Sequence, residues 1–280
     1  MTRRNYYPKI SIVTAVLNGA ATLQRCIDSV VDQTYLYKEL IIMDGGSTDG
    51  SVDILKANNR TITCWESKPD LGIYHAWNKA LDKVNGEWVF FIGADDYFWS
   101  NDVLMKIVPM LTAAQNKSRI VYGRIALTSP TGDILEIHGK PWNDLKKRFF
   151  QGKCLPHQGV FHHCSLFENY GGFDTSLKIA GDYEFLFREL KKADAHYVDV
   201  LVAGQQIGGV ANDPFFELQT LREYIVILRK HLGKVPVQFY WTYLKAHTKK
   251  VIRCLIGKKL TKLLVDFYRF ITNRPKIWTR

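Results

Sequence analysis

Apolar residues in the first half of the chain alternate between two textures. Residues 9–16 (KISIVTAV) are a short β-branched run that reads as a strand. Residues 20–32 then carry Leu23, Cys26, Ile27 and Val30 at helical spacing. The alternation repeats. A second strand over 39–43 ends at Asp44 and the turn Gly45-Gly46-Ser47, and Thr48 or Asp49 is placed to cap a helix running to about Ala57. Residues 61–66 predict a strand, 73–84 a helix, and 88–93 (WVFFIG) a fourth strand. Continuous apolar strands separated by amphipathic helices imply an α/β fold with a mainly parallel sheet covered on both faces. Ligands of such sheets bind beyond the carboxyl ends of the strands, where Asp44 and the pair Asp95-Asp96 fall.

The middle of the chain is less regular. Residues 119–127 and 133–138 predict two strands joined as a hairpin through Ser129-Pro130-Thr131-Gly132. A loop rich in Gly, Pro and basic residues is expected over 139–158, a turn at Gly171-Gly172-Phe173-Asp174, and a helix over about 182–192. After Asn212-Asp213-Pro214 the pattern is helical to the end, which divides the chain into residues 1–212 and 213–280.

Composition narrows the class. The 280 residues are 46% apolar and 13% aromatic, enough for a proper core, which excludes intrinsic disorder. Five scattered cysteines without a C-x-x-C pair make a poor disulfide framework and a poor zinc site, so a reducing compartment is expected. The first residues lack the pattern of a signal peptide, and no uncharged apolar run reaches the roughly 18 residues of a membrane span. The net charge of +11 is segregated: residues 233–280 hold twelve Lys/Arg against Asp266 alone, whereas residues 1–232 hold 26 basic and 26 acidic side chains. A neutral body thus carries a basic tail, and the tail points to an anionic partner, a membrane surface or a nucleic acid.

Two adjacent carboxylates after a buried strand, Asp95 and Asp96, suit Mg²⁺ or Mn²⁺ held together with substrate phosphates. The plainer alternative is one helix cap and one solvated acid. Asp44, an acid after a strand and before a glycine turn, has as its plain alternative a turn residue or cap. The turn Gly45–Gly50 lacks the G-x-G-x-x-G spacing of a dinucleotide site, and no P-loop motif is present.

In order along the chain come Thr14-x-x-x-Asn18, Asp44-Gly45-Gly46-Ser47-Thr48-Asp49-Gly50-Ser51, Lys68-Pro69-Asp70-x-Gly72-Ile73-Tyr74-x-Ala76-x-Asn78-Lys79 and Ala94-Asp95-Asp96. Pro156-His157-Gln158, Gly171-Gly172-Phe173-Asp174 and Ala180-Gly181-Asp182-Tyr183 follow. Over residues 8–210 this series resembles glycosyltransferase family 2, inverting enzymes of the GT-A fold that use nucleotide sugars. The resemblance implies that the backbone of Thr14, Ala15 and Val16, with Asn18, Asp44, Asp70, Asn78 and Asp95, holds a nucleotide sugar, usually uridine-linked. It implies that Asp96 and Asp95 bind a divalent cation, Mn²⁺ or Mg²⁺, that offsets charge on the leaving diphosphate. Asp182 is then the general base that takes the acceptor hydroxyl's proton, although Asp182 taken alone reads first as a helix cap. His157 is expected to line the acceptor pocket, while His162 and His163 read as packing groups. Trp77, Trp88 and Trp99 are candidates for sugar stacking or for core. Departures from the family pattern, among them His75, Trp77, Gly181 before Asp182 and Ala211 after Gly208-Gly209-Val210, leave donor and acceptor identity open.

On a helical wheel of residues 248–271, Leu255, Ile256, Leu260, Leu263, Phe267, Phe270 and Ile271 share an arc opposite Lys250, Lys258, Thr261, Lys262 and Arg269. With Phe239, Tyr240, Trp241 and Tyr243 nearby, this fits a basic amphipathic helix on a membrane surface. The expected protein is therefore cytoplasmic and peripheral at the inner face of the cell membrane. It would transfer sugar from a UDP-linked donor to a lipid-linked saccharide in surface polysaccharide synthesis. A nucleic-acid-binding α/β protein is the rival, disfavoured by the neutral body and the lack of a reader motif. A catalytically inactive scaffold is the other, disfavoured by the intact Asp95, Asp96 and Asp182.

Overall fold

In the computed structural model, which describes residues 7–114, 117–129, 131–207 and 216–271, one nine-stranded sheet organises the chain. Strands β1 (Ile10–Val16), β2 (Lys38–Asp44), β3 (Cys64–Ser67) and β4 (Trp88–Gly93) are parallel in the order β3-β2-β1-β4. The antiparallel strand β8 (Val160–His163) joins β4 to β6 (Ile120–Thr128). Beyond β6 lie β9 (His196–Gln206), parallel to it, and then β5 (Tyr97–Phe98). The predicted hairpin forms, with β7 (Ile134–His138) antiparallel to β6.

Side chains on a strand alternate between faces, and here both faces are buried. Val13, Ile41, Met43, Val89 and Phe91 enter one core, under α3 (Ile73–Leu81) and α7 (Gly181–Leu190). Ile12, Leu40, Ile42, Trp88, Phe90 and Ile92 enter the other, under α1 (Ala20–Val31), α2 (Ser51–Ala57) and α4 (Val103–Ala114). This is why the strands read as continuous apolar runs. Asp49 serves both first helices: its carboxylate accepts from the N–H of Ala20 (2.9 Å) and of Ser51 (3.0 Å).

Two segments differ from the pattern reading. The expected loop over 139–158 contains α5 (Trp142–Phe149). It buries mainly Trp142 and Phe149, and Lys146-Lys147-Arg148 conceals the period. Strand β9 escapes the reading because Asp199 and exposed positions interrupt the alternation in its first half. A short helix, α6 (Ser165–Tyr170), links β8 to the Gly171 turn.

Beyond β9 the described chain is helical, in α8 (Glu217–Leu232) and α9 (Val237–Ile271). Leu218, Leu221, Ile227 and Leu228 of α8 and Phe239 and Ala246 of α9 join the core that contains α3 and α7. Phe239 seats over Gly152, where a Cβ would lie 2.5 Å from its ring and where φ is +89°. Helix α9 breaks at Gly257 (φ 79°, ψ 166°), an extended conformation with positive φ that glycine adopts readily. The described cysteines, Cys26, Cys64, Cys154 and Cys164, are free thiols.

Candidate active site

The register of the parallel strands aligns the predicted donor residues. Val16 lies opposite Asp44, and Ala15 lies between Met43 and Gly93, so β1, β2 and β4 end together. Thr14 is one step further inside; its backbone pairs with Ile42 and Ile92, and its hydroxyl faces the Cys26 thiol 3.9 Å away.

Asp44 is fully buried and organises the turn that follows. One carboxylate oxygen accepts from the N–H of Gly46 and of Ser47 (both 3.0 Å) and from the Ser67 hydroxyl (2.6 Å); the other accepts from the Ser47 hydroxyl. Burial opposes ionisation, but these donors outweigh it and hold the carboxyl below its ordinary range. Asn18, at φ 52°, clamps the same turn: its N–H donates to Ser47 Oγ (2.7 Å) and its side-chain oxygen accepts from Thr48 N–H (2.9 Å). Asp70 packs against Gly45, where a Cβ would stand 2.8 Å from its carboxylate, and accepts from Gly72 N–H (2.8 Å). Asn78 reaches across to a distant turn. Its amide donates to Phe173 O (2.9 Å) and accepts from Phe173 N–H (2.8 Å), and a Cβ on Gly172 would overlap it.

Asp95 and Asp96 converge on Gly93, where a Cβ would lie 2.8 Å and 2.7 Å from their carboxylate oxygens. Burial, and then the charge of Asp95, push the Asp96 carboxyl well up; burial also raises Asp95. Gln206 N–H and the Gln158 side chain donate to Asp96. Arg25 hydrogen-bonds Asp95 O and Gln206 Oε1 (both 2.8 Å) and lies over the Tyr97 ring. Two mutually repelling carboxylates at a strand end fit a Mg²⁺ or Mn²⁺ ion that takes its remaining ligands from phosphates and water. Among the described residues no group of three or more His, Cys, Asp or Glu is disposed to hold a metal. The Gly208-Gly209-Val210 block lies outside the described residues.

Asp182 stands in the first turn of α7 and keeps partial access to solvent. The Tyr74 hydroxyl reaches Oδ1 at 3.3 Å and the Cys154 thiol reaches Oδ2 at 4.0 Å. Burial raises its carboxyl to about 6, against hydrogen bonds from Tyr183 N–H and Tyr74 that favour ionisation. His157 lies instead within an aromatic cluster, 6% exposed, its ring stacked on Trp77 (5.2 Å between centroids) and 5.1 Å from that of His162. Burial keeps both imidazoles neutral, pushing His162 down to about 3 and His157 well below its usual value. The expectation that His157 lines an acceptor pocket finds no open surface here. Trp77 and Trp88 are likewise core residues.

Tyr74 and Gln158 stood inside recognisable blocks of the sequence without a role of their own. Arg25, Gln206 and Glu223 carried no signal, because each reaches the site across the fold.

Comparison with known proteins identifies the family. Residues 11–169 match Glycosyl transferase family 2. A PGL/p-HBAD biosynthesis glycosyltransferase of Mycobacterium tuberculosis is 30% identical over 216 residues, spanning 73% of this chain and 80% of the relative. An uncharacterized glycosyltransferase of the same species is 33% identical over 184 residues, 65% of this chain and 68% of the relative. Among solved structures, a Pyrobaculum calidifontis mannosyltransferase in complex with GDP-Man and Mn²⁺ superposes with a TM-score of 0.64 at 18% identity, covering 95% of this chain and 81% of that one. S. aureus TarS in complex with UDP-GlcNAc superposes with a TM-score of 0.60 at 16% identity, covering 91% and 83%. The structural likenesses speak for the GT-A fold, and the sequence matches for the family: the chain is a glycosyltransferase of family 2.

Proposed function

We propose that the protein is an inverting, cation-assisted transferase that moves a sugar from a UDP-linked donor to a hydroxyl of a lipid-linked saccharide. The polymer or glycolipid is built at the inner face of the cell membrane. The observation that carries this reading is the pair of carboxylate environments. Asp95 and Asp96 crowd together at the strand ends, while Asp182 is single, partly accessible and raised to about 6. A divalent cation held by Asp96 and Asp95 supplies charge neutralisation for the departing diphosphate.

The chain's own groups do the rest. The turn held by Asp44 and Asn18, with the backbone of Ala15 and Val16 and the Asp70 loop, frames the nucleotide side. Asp182 takes the acceptor proton as that oxygen bonds to the anomeric carbon. The bond from that carbon to the diphosphate oxygen breaks on the opposite side, and the nucleoside diphosphate leaves. One in-line displacement inverts the centre. A base with its pKa near 6 is about nine-tenths ionised at pH 7, so the proton acceptor is ready.

The membrane part of the proposal rests on α9. No helix among the described residues is long and apolar enough to cross a membrane. Val237, Trp241, Leu244, Val251 and Leu255 are 56–79% exposed and share one face of α9, opposite the buried Phe239 and Ala246. The single acid of the basic stretch, Asp266, is itself buried. An apolar stripe within so basic a segment complements an anionic lipid surface. From the longer wheel, Leu255, Leu260, Leu263, Phe267, Phe270 and Ile271 are exposed, whereas the side chains of Lys258, Lys262 and Arg269 lie outside those described.

Calorimetry of UDP binding tests the central claim. Binding is expected to require Mn²⁺ or Mg²⁺ in the wild type and to be weak in Asp96→Ala with or without the cation. Equal affinity in EDTA and in Mn²⁺ overturns the cation assignment.

A further inference from the structure

The turn before Asp182 is held by a residue from well outside the family match. Glu223, on α8, accepts three consecutive backbone N–H groups: Lys178 (3.0 Å) on Oε1, and Ile179 (2.9 Å) and Ala180 (2.8 Å) on Oε2. The carbonyl of Ile179 accepts from the Tyr74 hydroxyl (2.6 Å), the same hydroxyl that reaches Asp182. Lys178 Nζ donates to Leu71 O (3.1 Å), in the loop that carries Asp70. Three links therefore converge on three residues, and two of them lead to predicted donor or base residues. Gly181 follows immediately, where a Cβ would strike the Tyr74 ring at 2.8 Å, and then Asp182.

We infer that Glu223 is a positioning residue for the reaction: its carboxylate gathers the N–H groups of 178–180 and so sets the place and the charge environment of Asp182. This rests on the reading of Asp182 as the base. The geometry explains why helical sequence beyond the nucleotide-binding half belongs to the catalytic apparatus. A carboxylate accepting several backbone N–H groups is a strong, directional clamp. No other side chain hydrogen-bonds these three amides among the described residues. Its negative charge also acts on Asp182, in the direction that favours the protonated form. The other groups that face Asp182 are Tyr74 from α3, Cys154 from the segment after α5, Tyr183 on α7 and Tyr224 on α8. None of these is a cation, so the Glu223 charge has no local counter-ion among them.

Two readouts need neither donor nor acceptor: backbone amide exchange by NMR, and a ¹³C-carboxyl titration of Asp182 assigned against Asp182→Asn. In Glu223→Gln the carboxamide oxygen still serves Ile179 and Ala180, but Lys178 N–H faces an NH₂ group. Its exchange is expected to quicken about tenfold, and the Asp182 midpoint to fall by roughly half a pH unit. Glu223→Asp keeps the charge but withdraws the clamp, so exchange at all three amides should quicken while the midpoint moves less. Melting curves confirm that each variant is folded, and Glu223→Asp carries the test if Glu223→Gln does not fold. A folded variant with wild-type exchange at 178–180 and an unmoved Asp182 midpoint overturns the inference. Failure of the base reading shows separately, as sugar transfer that survives Asp182→Asn.

Discussion

In the proposed role of base, Asp182 takes its chemistry from its surroundings, and those surroundings set its effects on activity and on stability against each other. Burial raises its carboxyl to about 6, so transfer is expected to fall as pH drops below about 6 and the base is protonated. Asp182→Asn should keep UDP-sugar binding in calorimetry and lose about 10² to 10⁴ in transfer rate. The effect on stability runs the other way. A carboxyl raised in the folded state favours folding fully below its unfolded value, and that contribution is lost as pH climbs through about 6. At pH 8 Asp182→Asn should therefore melt higher than wild type, by roughly 1 kcal/mol after allowance for solvent screening, and at pH 4 it should not. Asn78 predicts a different signature. Its Ala variant strands the Phe173 N–H and C=O, at a cost of about 1–3 kcal/mol in urea titration.

At the scale of elements, the C-terminal helices present two faces, one packed on the core and one exposed. The inner face of α9 inserts Phe239 beside Tyr224 and over Gly152, so Phe239→Ala should cost about 3–5 kcal/mol, read by denaturant unfolding. A truncation that removes residues 234–280 takes this core residue away, and a cut at the Gly257 break still removes the buried Asp266, so a test of membrane contact uses point substitutions. Trp241→Glu with Leu244→Glu on the outer face should leave the melting curve near wild type. The change should reduce co-sedimentation with anionic vesicles. Partial retention in 1 M salt is expected for the wild type, because the Debye length shrinks to about 3 Å there while apolar insertion persists. Equal sedimentation of wild type and variant removes the membrane reading. A dimer in analytical ultracentrifugation that the glutamates dissolve assigns the stripe to a second copy of the chain.

For the whole molecule the open choice is the donor. The fold is shared with proteins whose structures hold UDP-GlcNAc and GDP-Man, so the fold does not select the base. A thermal-shift panel of nucleotides and nucleotide sugars with Mn²⁺ should show the largest rise for UDP and for one UDP-sugar, since ligands that bind only the folded state stabilise it. A larger rise with GDP reassigns the donor.

Much of this protein was legible before any coordinates. Strands buried on both faces announce themselves as continuous apolar runs, and helices over them as periodic ones. The parallel half of the sheet, its helices and the acids at its strand ends therefore followed from local pattern alone. The family resemblance followed from the order of short blocks, because turns, caps and close approaches need particular residues at particular spacings. Tertiary structure decided what depends on distance across the chain. Asn78 looked like a neighbour of Asp70, yet its amide is spent on Phe173, 95 residues away. His157 looked like a pocket residue, yet it stacks between aromatic rings that arrive from α3 and β4. Strand β9 and helix α5 were obscured because half-exposed elements carry diluted periodicity. Glu223 was invisible because a glutamate on an amphipathic helix has no local signature. Its role exists only where the fold brings it to the three amide groups before Asp182.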